Sequence, residues 1–210
     1  MRKFYLSILL AAAALAGEEY KAEAGAAPPA ELSDSIKSLL EKQGVKISKD
    51  GKPLSEIWYR AELPAPKPTT EANLTLPGVP HGSLLAVIKV EQTYSDRRGQ
   101  TFKPGLYTMR YSYYPENGDH QGAAPQRDFL LLSPAATDTD GAATPVFKEL
   151  VEQSKKVSNT PHPAVFSIWK EDPKYFKEGS LEKVGETDWV LMRKMGGLGL
   201  SLIVAGKVEA

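Results

Sequence analysis

The sequence predicts a mostly β fold: an antiparallel β-sandwich with two short accessory helices. Three observations predict it. In "LYTMRYSYY", Leu106 to Tyr114, the residues Tyr107, Met109, Tyr111 and Tyr113 alternate with Thr108, Arg110 and Ser112. That period of two gives a strand one buried and one wet face, the mark of antiparallel sheet. Turn pairs punctuate the chain at Asp50-Gly51, Pro104-Gly105 and Gly196-Gly197, the chemistry of tight reversals. Finally, no strand–helix alternation of the kind that builds a parallel sheet is present, and no internal repeat.

The elements follow in order. Arg2 and Lys3 precede an apolar run from Phe4 to Ala14 that is too short to span a bilayer. Ala14-Leu15-Ala16 is a small-x-small cleavage pattern and Ala22-Glu23-Ala24 a second one. Residues 1–16 read as a secretory signal peptide, whose removal leaves no stable membrane span and a periplasmic or secreted bacterial protein. Residues 17–30, rich in Ala, Glu and Pro, read as a flexible leader. One β-rich domain then occupies 31–210. It opens with a helix plus hairpin over 31–62: Ser33 caps the helix, Ile36, Leu39 and Leu40 share a face, and Gly44 ends it. Strands from Val45 and over Ser55–Glu62 flank the Asp50-Gly51 turn.

Residues 63–80 carry Pro64, Pro66, Pro68, Pro77 and Pro80, an extended surface connection, since proline cannot serve a central ladder. The main sheet body is 81–210. Its strands are predicted at Leu84–Val90, Leu106–Tyr114, Phe129–Leu132, Ala164–Trp169, Trp189–Met195 and Leu198–Val204, with the last two a hairpin. Thr144-Pro145 opens a second helix, threonine as cap and proline at its first position.

Composition bounds the function. Of 210 residues, 41% are hydrophobic and 25% charged, enough to build a core. Lys+Arg and Asp+Glu are 26 each, a balance that favours neither nucleic acid nor an anionic membrane as partner. The chain has no cysteine, which excludes disulfides, thiol catalysis and zinc–cysteine sites.

No strong catalytic motif is present: no glycine-rich phosphate loop, no G-x-S-x-G, no histidine pair at metal-binding helical spacing. The chain therefore reads as a non-catalytic binding or accessory module of the bacterial envelope, with an envelope protein or a carbohydrate as partner. One alternative is geometric. His81 precedes the strand 84–90, and Asp119 and His120 follow the strand 106–114 in "NGDHQGAAPQRDF". An antiparallel pairing of those strands puts His81 and His120 at one end of the sheet, flanked by Asp128. His162, between Pro161 and Pro163, joins them if its strand runs parallel to 84–90. Such imidazole and carboxylate ligands suit zinc, copper or non-haem iron, a divalent transition metal. Against it, Asn-Gly-Asp is ordinary turn chemistry. A second alternative is a sugar-stacking platform of Tyr107, Tyr111 and Tyr113, though their alternation with polar residues argues for burial. Trp58, Trp169 and Trp189 lie within strand patterns and read as packing residues.

"FKPGLYTMRYSYYP" resembles the strand opening of secreted bacterial β-sandwich modules, prealbumin-like and immunoglobulin-like ones included. The longer pattern, "HGSLLAVIKV" through "RRGQTFKPGLYTMRY" to "GDHQGAAPQRDFLLLSP", is similar to an uncharacterised family of exported bacterial proteins over roughly residues 31–170. The resemblance implies export and a β-sandwich, and it transfers no catalytic residue.

The cleavage pattern predicts a mature chain that starts at Gly17, or at Gly25 as second choice. N-terminal sequencing of secreted protein checks this, and retention of Met1 would refute it.

Overall fold

The structure, a computed structural model, describes residues 19–114 and 124–208. Its elements are β1 (Tyr20–Ala24), α1 (Asp34–Lys37), β2 (Val45–Lys49), β3 (Lys52–Tyr59), β4 (Leu84–Val90), β5 (Tyr94–Ser95) and β6 (Thr101–Phe102). There follow β7 (Gly105–Tyr113), β8 (Asp128–Pro134), α2 (Phe147–Ser158), β9 (Val165–Lys170), β10 (Leu181–Val184), β11 (Asp188–Met195) and β12 (Leu198–Ala205).

Local chemistry sets the reversals. Asp50 and Gly51 adopt φ of 50° and 75°, and Gly196 and Gly197 adopt 55° and 82°. Positive φ at both central residues makes the hairpin turn whose twist suits the flanking strands. β2–β3 and β11–β12 close around these turns. In α1, the Ser33 side chain accepts from the Ile36 N–H, as the capping pattern predicts. α2 begins later than expected. Val146 is its N-cap, with no side-chain cap bond, so Thr144-Pro145 leads into the helix instead of opening it.

Ten strands form one sheet in the order β1-β2-β3-β4-β7-β8-β9-β12-β11-β10, and β5 and β6 form a separate two-stranded ribbon. Every neighbouring pair is antiparallel. β1 and β10 come into contact, so the sheet is nearly barrel-shaped and not the expected two-sheet sandwich. The two architectures share one sequence pattern, apolar inward and polar outward. What separates them is unbroken pairing, which the pattern does not encode. Register shifts at Ile47/Ser48, Leu84/Ala86 and Trp189/Val190 help the sheet curl. The inside is filled by side chains from around the sheet, among them Ile47, Ile57, Ile88, Met109, Leu130 and Leu202, all fully or almost fully buried.

Two further expectations are corrected. Tyr20–Ala24 is a strand, not part of a flexible leader: it pairs with Val45–Lys49, and Tyr20 packs against the core. The polar face of β7 is not wet. Thr108, Arg110 and Ser112 are as buried as Met109 and Tyr111, because residues 135–146 fold over them. Arg110 is the reason. Its Nε and Nη2 donate to the two Asp138 carboxylate oxygens at 2.6 and 2.7 Å. Nη1 donates to the carbonyls of Gly82 and Ala143, and Nη2 also to that of Asp140. All five guanidinium N–H groups are thereby answered. Thr108 Oγ1 donates to the same Asp138 carboxylate.

The strand β8 shows why alternation was hard to read there. Leu130 and Leu132 point into the sheet interior, whereas Phe129 and Leu131 pack beneath α2 with Leu150, Val151 and Val165. Both faces are apolar, so the run "FLLL" has no period.

Met109→Ala should destabilise by roughly 2–5 kcal/mol, the range for emptying a filled core site. Asp138→Ala should cost about 3–5 kcal/mol by stranding a buried guanidinium. Thr108→Ala should cost about 1–3 kcal/mol. Urea unfolding measures all three, and a Thr108→Ala effect near zero would mean that the second face of β7 opens to water.

Candidate functional site

Strand direction places the predicted site residues. β4 and β7 pair antiparallel, Ile88 opposite Tyr107, so the start of β4 meets the end of β7 as the hairpin argument requires. His81 lies there, and its Nε2 is 3.0 Å from Ser112 Oγ. Asp119 and His120 lie outside the described residues. Asp128 begins β8 at the same end. β9 is antiparallel to β8, Leu130 opposite Phe166, and therefore runs opposite to β4. His162 consequently sits at the other end of the sheet, which corrects its placement beside His81. Among the described residues, no group of three or more His, Asp and Glu side chains is arranged to hold a metal.

The charges that look chemical hold the two ends of the sheet closed. At the His81 end, Asp128 is fully buried and accepts from the Thr75 and Leu76 N–H groups at 2.8 and 3.1 Å and from Tyr111 Oη at 2.6 Å. Arg127 donates to the carbonyls of Tyr114 and Ala72, pairs with Glu71, and lies over the Tyr113 ring. Together they clamp the proline-rich connection, so that Leu76 and Val79 plug this end and join the core. At the opposite end, the Asp96 carboxylate accepts from the N–H groups of Arg98, Gln100 and Val165 and faces Arg98 Nη2. It ties the β5–β6 ribbon to β9, and Tyr94, Phe102 and Phe166 stack beneath it. Burial raises the Asp96 carboxyl, against the pull of Arg98 and the three amides.

His81 is itself a joint. Pro145 has no N–H, so its backbone hydrogen bond to the imidazole is a carbonyl accepting from the ring. The neutral ring then keeps Nε2 free to accept from Ser112. Ser112 is fully buried, so the pair stitches β7 to the lead-in of α2. Burial depresses the His81 pKa below 6.5.

The sugar platform weighed as an alternative on β7 is closed, as the alternation of its tyrosines with polar residues argued. Tyr107 and Tyr111 are core residues, and Tyr107 Oη donates to the Lys103 carbonyl. The aromatic pair that does line a cleft stands elsewhere. Where β1 meets the β11–β12 side of the sheet, the Tyr20 and Trp189 ring centroids are 5.2 Å apart with planes at 44°. Both side chains are only partly buried. They line a cleft of about 410 Å³ beside the β5–β6 ribbon, with Lys49, Lys183, Thr187 and Lys207. A second hollow of about 190 Å³ adjoins it, sharing Tyr20, Lys49, Ser95 and Gly206 and adding Gln92 and Thr93. Lys49 Nζ stands 5.6 Å from the Tyr20 ring centroid. One wall is braced: Arg97 Nε donates to both Asp188 oxygens at 2.8 and 3.0 Å, and the Val208 N–H donates to the Arg97 carbonyl.

Another cleft of about 400 Å³ opens at the far end of the same seam, beside Glu41, Gln43 and Arg193. Arg193 is already engaged, with Glu41 at 2.8 Å and Glu178 at 3.3 Å. Sequence reading missed the Tyr20–Trp189 cleft because its two aromatics are 169 positions apart. No local spacing signals such a pair.

The depressed His81 pKa makes a pH dependence. The unfolded chain takes up a proton near pH 6.5 more readily than the folded one. Stability is therefore full above that value, and falls as pH drops from about 6.5 toward the lowered folded pKa. Urea midpoints between about pH 7 and pH 5 should show this loss, and His81→Gln should remove that part of the slope.

A scan against family models and searches of curated proteins and of solved structures find no match to this chain. The cleft thus takes no role from a relative, and its own chemistry is what speaks for it.

Proposed function

We propose that this chain is an exported, non-catalytic binding module of the bacterial envelope, and that the Tyr20–Trp189 cleft holds its ligand. The observation that carries the reading is a partly exposed aromatic pair lining a cleft of about 410 Å³ with lysines at its rim. Pockets of this size suit small ligands and short polymer segments. The buried charged groups elsewhere support it. Asp96, Arg110, Arg127 and Asp128 each spend hydrogen bonds on backbone groups and on one neighbouring side chain, Arg98, Asp138, Glu71 and Tyr111 in turn, which makes them scaffold.

Export and the cleft bear on each other. Cleavage after Ala16 leaves β1 whole. Cleavage after Ala24 would remove all of β1 and with it Tyr20, one of the two rings. The reading therefore takes Gly17 as the mature start.

Mature protein should bind at least one member of an array of envelope and cell-wall glycans. Tyr20→Ala and Trp189→Ala should each weaken that binding roughly tenfold, the worth of one aromatic contact. Binding that neither substitution affects would place the site elsewhere. Turnover of any substrate in a broad hydrolase screen would overturn the non-catalytic reading.

A further inference from the structure

We infer that the outer edge of β1, at Ala22 and Ala24, takes an extended peptide as an added strand. The site is the cleft of about 400 Å³ at the far end of the seam, which shares no lining residue with the Tyr20–Trp189 cleft. The inference stands apart from the reading of that cleft, and shares with it only the need for an intact β1.

Hydrogen-bond parity identifies the edge. In an antiparallel pair, alternate residues direct both their N–H and their C=O to the partner strand, and the residues between direct them away. At one end of β1 the Asp50 N–H donates to the Glu19 carbonyl, and at the other the Gly25 N–H donates to the Gly44 carbonyl. The odd-numbered residues therefore face β2, Lys21 opposite Ser48 and Glu23 opposite Lys46. Ala22 and Ala24 direct their main-chain groups the other way. β1 is a margin of the ten-stranded sheet and has β2 as its one neighbour. Among the described residues, no strand takes up the outward groups of Ala22 and Ala24, and both residues line the cleft.

Sheets usually protect such a margin with proline, a bulge or a covering element. β1 has no proline, and its pairing with β2 runs without a register shift. Its alanines are too small to screen the backbone, Ala22 half-buried and Ala24 exposed. The other margin, β10, comes into contact with β1 without hydrogen-bonding to it. Across the cleft stands Gly179, where an added Cβ would meet nothing within 4 Å, so there is room beside the edge. A peptide laid there finds N–H and C=O partners on β1, and its inward side chain falls against Ala22 and Val45, which pack on the core. A sugar offers no row of alternating donors and acceptors to match. A second copy of this chain is the competing occupant, but its own edge is recessed in the same cleft, and two recessed edges do not meet.

Two proline substitutions test the edge without any ligand. Ala22→Pro deletes an N–H that points outward, a place where an edge strand tolerates proline, so its urea midpoint should stay near that of the parent. Glu23→Pro deletes an N–H given to β2 and should lower the midpoint. Equal losses from both would overturn the edge assignment. Mature full-length protein is then titrated by calorimetry with a capped hexapeptide of alternating threonine and valine, and with the same peptide N-methylated at alternate amides in each of the two phases. The parent peptide should bind, one methylated phase should bind at least roughly tenfold more weakly, and Ala22→Pro should weaken the parent peptide by a similar factor. No binding, or equal binding of all three peptides, would overturn the added strand. Sedimentation showing a dimer that Ala22→Pro dissociates would give the edge to a second copy instead. Peptide binding lost in Trp189→Ala but kept in Ala22→Pro would move the peptide to the Tyr20–Trp189 cleft and overturn this site alone.

Discussion

A guanidinium sealed from water must have every N–H answered, and Arg110 meets that condition by drawing two parts of the chain onto β7. Its partners are the carboxylate of Asp138, the carbonyls of Asp140 and Ala143, and the carbonyl of Gly82. With residues 135–146 pinned there, the second face of the central strand is covered, and Thr108 and Ser112 lose their water. The same segment reaches α1: Ser33 Oγ donates to the Thr139 carbonyl, and the Gly141 N–H donates to Ser35 Oγ. It also leads into α2 past Pro145, which His81 holds. A buried ion pair is weak evidence for net stability, since the desolvation cost offsets the attraction. Its value here is geometric: this arrangement of the loop answers all five donors at once.

The two ends of the sheet repeat this logic with carboxylates. Asp128 collects two amides and a phenol from the proline-rich connection and β7, and Asp96 collects three amides from the β5–β6 ribbon and β9. Each brings a loop whose backbone would otherwise be unpaired down onto the filled interior. An aspartate beside an arginine at a strand start is what a catalytic reading would notice first. In this fold that chemistry is consumed in closure. The cleft that we propose as the binding site lies at the seam, where the first strand and the last strands meet and Tyr20 and Trp189 stay only partly buried.

Much of the fold was legible. The strand patterns at Leu84–Val90, Gly105–Tyr113 and Leu198–Ala205, the turns at Asp50-Gly51 and Gly196-Gly197, and the Ser33 cap are all local events. They are written in neighbouring residues, as periodicity and turn chemistry are. β10 was missed because "LEKV" is short and charged, an edge strand whose pairing with β11 supplies what its composition lacks. β1 was missed for a related reason: an Ala- and Glu-rich segment reads as solvated until β2 gives it a partner.

The sequence by itself determined the class of structure, mostly β and antiparallel with two helices, and the direction of β4 against β7, which puts His81 beside the end of β7. Only the tertiary structure decided that the strands form one nearly closed sheet, that His162 lies at the opposite end, and that Tyr20 stands against Trp189. The physical reason is the range of the interactions. Turns and strand faces are set by torsions and contacts a few residues long. Closure, end-to-end placement and the seam depend on which distant strands share hydrogen bonds, and on buried charges such as Arg110 whose partners lie some thirty positions away.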